Sequence, residues 1–71
     1  MNNSYNTIFI NGQAFNCHVS TSLKELLIYL EFELHSIVVE HNERIIRLTE
    51  LEKTFLKSQD KIEIITIVGG G

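Results

Sequence analysis

The apolar positions of the chain change period several times, and each change marks an element. Thr7-Ile8-Phe9-Ile10 is a β-branched and aromatic run, Asn11-Gly12 follows, and Phe15, Cys17 and Val19 then alternate with Asn16 and His18. β-Branched and aromatic residues suit a pleated, half-buried surface. Asn-Gly between two such runs signals a tight hairpin, and a period of two is that of a strand with one covered face. The pattern predicts a hairpin over 7–19, with Ile8, Ile10, Phe15, Cys17 and Val19 on the covered face and Phe9 on the opposite one. The polar residues 1–6 predict a frayed end.

The period then lengthens. Leu23, Leu26, Leu27 and Leu30 recur at helical spacing, and Ser22 followed three residues later by Glu25 fits a capping box. One amphipathic helix over about 22–32 follows from this, with Phe32 and Leu34 completing its apolar side. Ile37–His41 predicts a short strand, Asn42-Glu43 a turn, and Arg44–Arg47 a second short strand. Residues 48–56 predict a short helical turn with Leu48, Leu51 and Phe55 inward and a weak capping signal at Thr49 and Glu52. Ser58–Lys61 is polar and reads as a tight turn. The last strand, Ile62–Val68, is almost continuously apolar, which predicts a central place beside the first strand, covered on both faces or nearly so. Ile62 and Ile64 are expected to face the helix, and Ile65 and Ile67 the other way. Neither the hairpin nor the short-strand pair buries a face alone, so the elements predict an α+β fold: one mixed, four- or five-stranded sheet packed on one main helix.

Composition narrows the function classes. A chain of 71 residues is expected to be one domain, 1–71, burying only about 60% of its unfolded surface. Cys17 is the one cysteine, so no internal disulfide forms. A lone cysteine suits a reducing compartment, and on a strand it reads as a small buried hydrophobe. His18, His35 and His41 are dispersed, and no Cys/His spacing suits zinc. Glu31 and Glu33 read as a solvated helix end. No residue is assigned a catalytic role and none a metal-binding one. The net charge of −3, with six scattered Lys and Arg, argues against nucleic acid as a partner. No apolar run approaches the ~20 residues that span a bilayer. The expectation is a soluble intracellular protein.

The chemistry that remains is at the carboxyl end, where Val68 is followed by Gly69, Gly70 and Gly71. Three glycines add no stability to a small domain. They suit either a flexible, inconsequential end or a tail that threads a narrow channel on another protein and presents its terminal carboxylate there. Phe9, Ile65, Ile67 and Val68, with Val38, are expected to form an apolar patch beside that tail, and such patches often mark interaction sites.

Element order, length and end together resemble the β-grasp, ubiquitin-like sulfur carriers, and most closely the ThiS family of thiazole biosynthesis. The resemblance runs from about Ile8 to Gly71. It is carried by Ile10-Asn11-Gly12-Gln13, Ser22-Leu23-Lys24-Glu25-Leu26-Leu27, Val39-Glu40-His41-Asn42 with Ile45-Ile46, Asp60-Lys61-Ile62-Glu63-Ile64, and Val68-Gly69-Gly70-Gly71. The chain departs from the family at Ser58-Gln59-Asp60, where Asp-Gly-Asp is common, and at Arg47-Leu48, where Pro-Arg is usual.

The resemblance implies a protein co-substrate rather than an enzyme. The Gly71 carboxylate is adenylated by a ThiF-type adenylyltransferase that uses ATP and magnesium, with pyrophosphate leaving. A persulfide donor then converts the acyl-adenylate to a thiocarboxylate, which gives its sulfur to a ThiG-type thiazole synthase. Gly69 and Gly70 let the tail thread the partner's channel, and the carrier itself binds no cofactor. The implied location is the cytoplasm, or the plastid stroma for a plastid-encoded chain. Three other readings remain: a carrier like the small subunit of molybdopterin synthase, a ubiquitin-like protein modifier, and an interaction module with an inert tail.

Overall fold

The computed structural model describes residues 4–68. The chain forms β1 (Tyr5–Ile10), β2 (Gln13–His18), α1 (Leu23–Tyr29), a 3-10 turn at Leu34–Ser36, β3 (Ile37–His41), β4 (Arg44–Ile46), a 3-10 segment at Leu48–Lys53 and β5 (Lys61–Thr66). The strands make one five-stranded sheet in the order β2-β1-β5-β3-β4. β5 runs parallel to β1 and antiparallel to β3, in the middle of the sheet. This is the β-grasp arrangement: a mixed sheet with one main helix.

Local chemistry explains the turns and caps. Asn11 and Gly12 both have positive φ (48° and 85°), the two-residue geometry whose twist matches a hairpin. Asn42 and Glu43 do the same between β3 and β4, at φ 51° and 72°, although Glu43 is a poor fit to left-handed backbone. The capping box forms: Ser22 Oγ accepts from the Glu25 N–H at 3.1 Å, and Glu25 Oε1 accepts from the Ser22 N–H at 2.9 Å.

The core lies between α1 and one face of the sheet. Ile8, Leu23, Leu27 and Ile62 are fully buried there, with Ile10, Cys17, Leu26, Val39, Leu51, Leu56 and Ile64 around them. Each such aliphatic side chain contributes about 1.5–3 kcal/mol through burial.

Several expectations are corrected. Tyr5 and Asn6 belong to β1, paired with His18 and Cys17, and Asn6 Nδ2 donates to the Leu56 carbonyl at 3.0 Å. Val19 is 43% exposed, because β2 ends at His18, whose carbonyl accepts from the Thr21 N–H at 2.9 Å. The helix stops at Tyr29, not 32: Glu31 turns left-handed, and the Phe32 and Glu31 N–H groups donate to Leu27 and Ile28, a Schellman ending. Leu48 and Phe55 are exposed. Residues 54–56 run extended beside the start of α1, with Phe55 bridging Ser22, so alternation sends Leu56 inward and Phe55 outward. In the turn before it, Glu50 rather than Glu52 caps, accepting from the Arg47 N–H at 3.2 Å.

The largest correction concerns β5. Ile62 and Ile64 are buried as expected, but the strand's other face is exposed, and regular pairing ends at Thr66. A continuous apolar run is ambiguous between double coverage and a docking face, and the one main helix covers one side of the sheet.

Candidate functional site

The candidate site is the end of β5 and the sheet face around it. β5 is clamped from both sides by turn asparagines. Asn11 Oδ1 accepts from the Ile64 N–H at 2.8 Å and its Nδ2 donates to the Ile64 carbonyl at 3.3 Å, so the side chain acts as one more strand residue beside β5. Asn42 Oδ1 accepts from the Lys61 N–H at 2.8 Å. The pairing persists beyond the strand proper, with the Ile67 N–H donating to the Ser36 carbonyl at 2.8 Å. The chain is thus held up to Ile67, and Val68 is 92% exposed.

Asp60, which the sequence placed in a polar turn, is 7% exposed and anchors the start of β5. Its carboxylate accepts from Asn42 Nδ2 at 3.0 Å and from the Lys57 N–H at 2.8 Å, and lies 2.8 Å from His41 Nε2. Burial by itself raises the carboxyl pKa. The hydrogen bonds from Asn42, His41 and Lys57, with the attraction of His41, outweigh it and hold the group below its ordinary value. The sequence signal was available only in outline: an acid just before an apolar strand, and a His-Asn pair ending another.

The expected docking residues fall into two groups. Ile65 and Ile67 are 52% and 53% exposed, and Ile65 stands directly opposite half-buried Val38. Phe9 is half-buried on the same face but is aligned with Lys61. Its level is therefore four residues from Ile65, about 13 Å along the strand at the usual rise, with Glu63 between. The patch is not contiguous as expected, because Lys61 stands beside Phe9 and Glu63 takes the outward position between that level and Ile65. Ile45, outside the expected patch, extends the apolar group across β4 at 68% exposure. Gly69, Gly70 and Gly71 lie outside the described residues.

Nothing resembling a catalytic centre is assembled among the described residues. Cys17 and His18 point to opposite faces of β2, and His18 Nδ1 lies 2.8 Å from Ser20 Oγ. Burial, reinforced by the negative charge of Asp60, pushes the Cys17 thiol up, away from the reactive thiolate. A groove between β2 and α1, lined by Cys17, His18, Glu25 and Tyr29 among others, holds no nucleophile–base pair. No described cluster of three His, Cys, Asp or Glu could ligate a metal, and no described helix is long and apolar enough to cross a membrane.

Known proteins resemble this chain in sequence or in fold. The protein ycf40 of Pyropia yezoensis is 48% identical over 65 residues, covering 92% of each chain. A thiazole synthase of Magnetococcus marinus is 31% identical over 64 residues, which span 90% of this chain and 20% of that protein. The crystal structure of the thiamine biosynthesis protein ThiS from Geobacter metallireducens superposes with a TM-score of 0.78 at 25% identity, covering 92% of this chain and 99% of that one. The ThiS family model matches residues 8–71, from the first strand through the glycines, and with this fold and these relatives the chain belongs to the ThiS family.

Proposed function

We propose that the protein carries sulfur for assembly of the thiazole ring, with the Gly71 carboxylate as the loading point. The observation that carries this reading is the family match running through residue 71, on a chain whose central strand is pinned by both neighbours and is the last strand before the glycines in the sequence. A carboxylate is a poor electrophile, so an adenylyltransferase of the ThiF type first joins it to the α-phosphate of ATP, with magnesium held by the enzyme and pyrophosphate departing. A persulfide sulfur displaces AMP to give an acyl disulfide, and a thiol then attacks the donor's sulfur, releasing the Gly71 thiocarboxylate and leaving a disulfide on the donor side. A ThiG-type thiazole synthase receives the sulfur. That a thiazole synthase contains a segment 31% identical to this chain supports the choice of acceptor.

In this reading the body of the domain is a handle. Gly69 and Gly70 let the backbone pass where a Cβ would not, and Ile65, Ile67 and Val68, with Phe9 at a distance, contact the enzyme that loads the tail. The whole chain acts as one carrier domain, in the cytoplasm or the plastid stroma. Incubation with the adenylyltransferase, ATP and a sulfur source is expected to raise the intact mass by the difference between sulfur and oxygen; no ATP-dependent change would defeat the proposal. Gly70→Ala is expected to keep the wild-type melting temperature and lose most ATP–pyrophosphate exchange, whereas undiminished exchange would remove the threading role.

A further inference from the structure

The register of the sheet creates a feature that the linear sequence does not show. Glu40 of β3 and Glu63 of β5 are directly opposite each other, and Ile45 of β4 is opposite Glu40. One rung away stand Val38 and Ile65, also directly opposed. The outer face therefore carries a row Ile45–Glu40–Glu63 beside a row Val38–Ile65, on the strands that lead to the tail. Directly opposed side chains have Cβ atoms about 5 Å apart, and like charges at that distance destabilise a sheet. Neither glutamate is in an ion pair among the described residues, and Lys61, two positions before Glu63 on the same face, forms none with it. Half-buried Glu40 and exposed Glu63 thus aim two carboxylates outward amid exposed isoleucines, a pairing that disfavours the isolated domain by the general rule for like charges.

We propose that this face docks the adenylating enzyme through an apolar surface bearing a guanidinium, which seats between Glu40 and Glu63. The inference rests on the carrier reading above and names the chemistry of the partner's surface. A guanidinium presents five donors in a rigid planar fork and can bridge two carboxylates, while its weak hydration suits an apolar surround. Charge complementarity selects the adenylating enzyme. A catalyst that binds the ATP polyanion and stabilises charge on a transferring phosphoryl group gathers cationic groups around the place where the tail must arrive. The Glu40–Glu63 pair, on the outer face of the strand that runs on to Val68 five residues later, is attracted to such a surface and fixes the register in which the tail enters.

The test compares three carriers, wild type, Glu40→Gln/Glu63→Gln and Ile65→Lys, by affinity for the purified ThiF-type adenylyltransferase and, separately, for a purified ThiG-type thiazole synthase, each at two salt concentrations, and by melting temperature. Removing the repulsion with isosteric amides is expected to leave the melting temperature unchanged or raised. Affinity is expected to fall roughly thirtyfold or more, the loss characteristic of removing one side of a desolvated charge pair, and its salt dependence to flatten. Unchanged affinity in the double variant, with Ile65→Lys still weakening it, overturns the acidic seat and leaves the carrier docking through apolar contacts alone. Unchanged affinity in both variants overturns the docking face and the seat together. A lowered melting temperature in the double variant overturns the claim that the pair is held at a cost to folding. An effect found only with thiazole synthase overturns the choice of occupant.

Discussion

The two faces of the sheet are built from similar residues and do different things. On the inner face Ile8, Ile62 and Ile64 meet Leu23, Leu26 and Leu27 of α1 and vanish from solvent. On the outer face Ile45 and Ile65 remain more than half exposed, among Lys61, Glu40 and Glu63. Burial of the inner isoleucines stabilises the native state. Exposure of the outer ones contributes little to folding and is useful only when something else covers them. The contrast teaches that along β5 stability rests on alternate residues of one strand, and in the proposed reading the residues between them serve recognition, so substitutions at neighbouring positions should separate the two properties.

The strongest way to break the contrast is on the inner side. Ile62→Ala is expected to cost about 2–5 kcal/mol through lost burial and the cavity left behind, a large share of the 5–15 kcal/mol typical of a domain, and chemical denaturation should show it directly. Removing the anchor beneath it is the next largest effect. Asp60→Ala deprives Asn42, the Lys57 N–H and His41 of their common acceptor and is expected to cost about 1–3 kcal/mol.

The same carboxyl has a pH signature. Its folded pKa lies below the ordinary value, so its contribution is present above the unfolded pKa of about 3.9 and is lost as pH falls through the lower folded value. Wild-type melting temperature should therefore drop more steeply below about pH 4 than that of Asp60→Asn. An equal slope in the two proteins would assign the acid sensitivity elsewhere.

Smaller effects sharpen the comparison. Glu43 holds a left-handed conformation, φ 72°, away from the outer-face row, and Glu43→Gly is expected to stabilise by up to about 1 kcal/mol through relief of that strain. Ile65→Lys, two residues beyond Glu63 on the exposed face, is expected to change stability by less than about 0.5 kcal/mol while weakening the adenylyltransferase complex. A loss comparable to that of Ile62→Ala would show that Ile65 is core after all.

Much of the fold was legible because local signals agreed with tertiary demands. The Asn11-Gly12 hairpin, the Ser22–Glu25 cap, the leucine stripe and the span of β3 all stand where periodicity and turn chemistry place them. The site was less legible. Asp60 looked like one more turn residue, because its burial arises from Asn42, His41 and Lys57 converging from other segments. Phe9 and Ile65 looked like one patch because alternation gives the face of a residue but not its distance from residues on another strand.

The sequence by itself determined the element types, the two-faced alternation and the glycine end, since periodicity, capping and turn preference act over a few neighbouring residues. Tertiary structure alone decided that one side of β5 is covered and the other open, that the Asn11 and Asn42 side chains clamp the central strand, and that Glu40 meets Glu63. Those outcomes depend on strand order and register, which are set when distant segments pack around a common core.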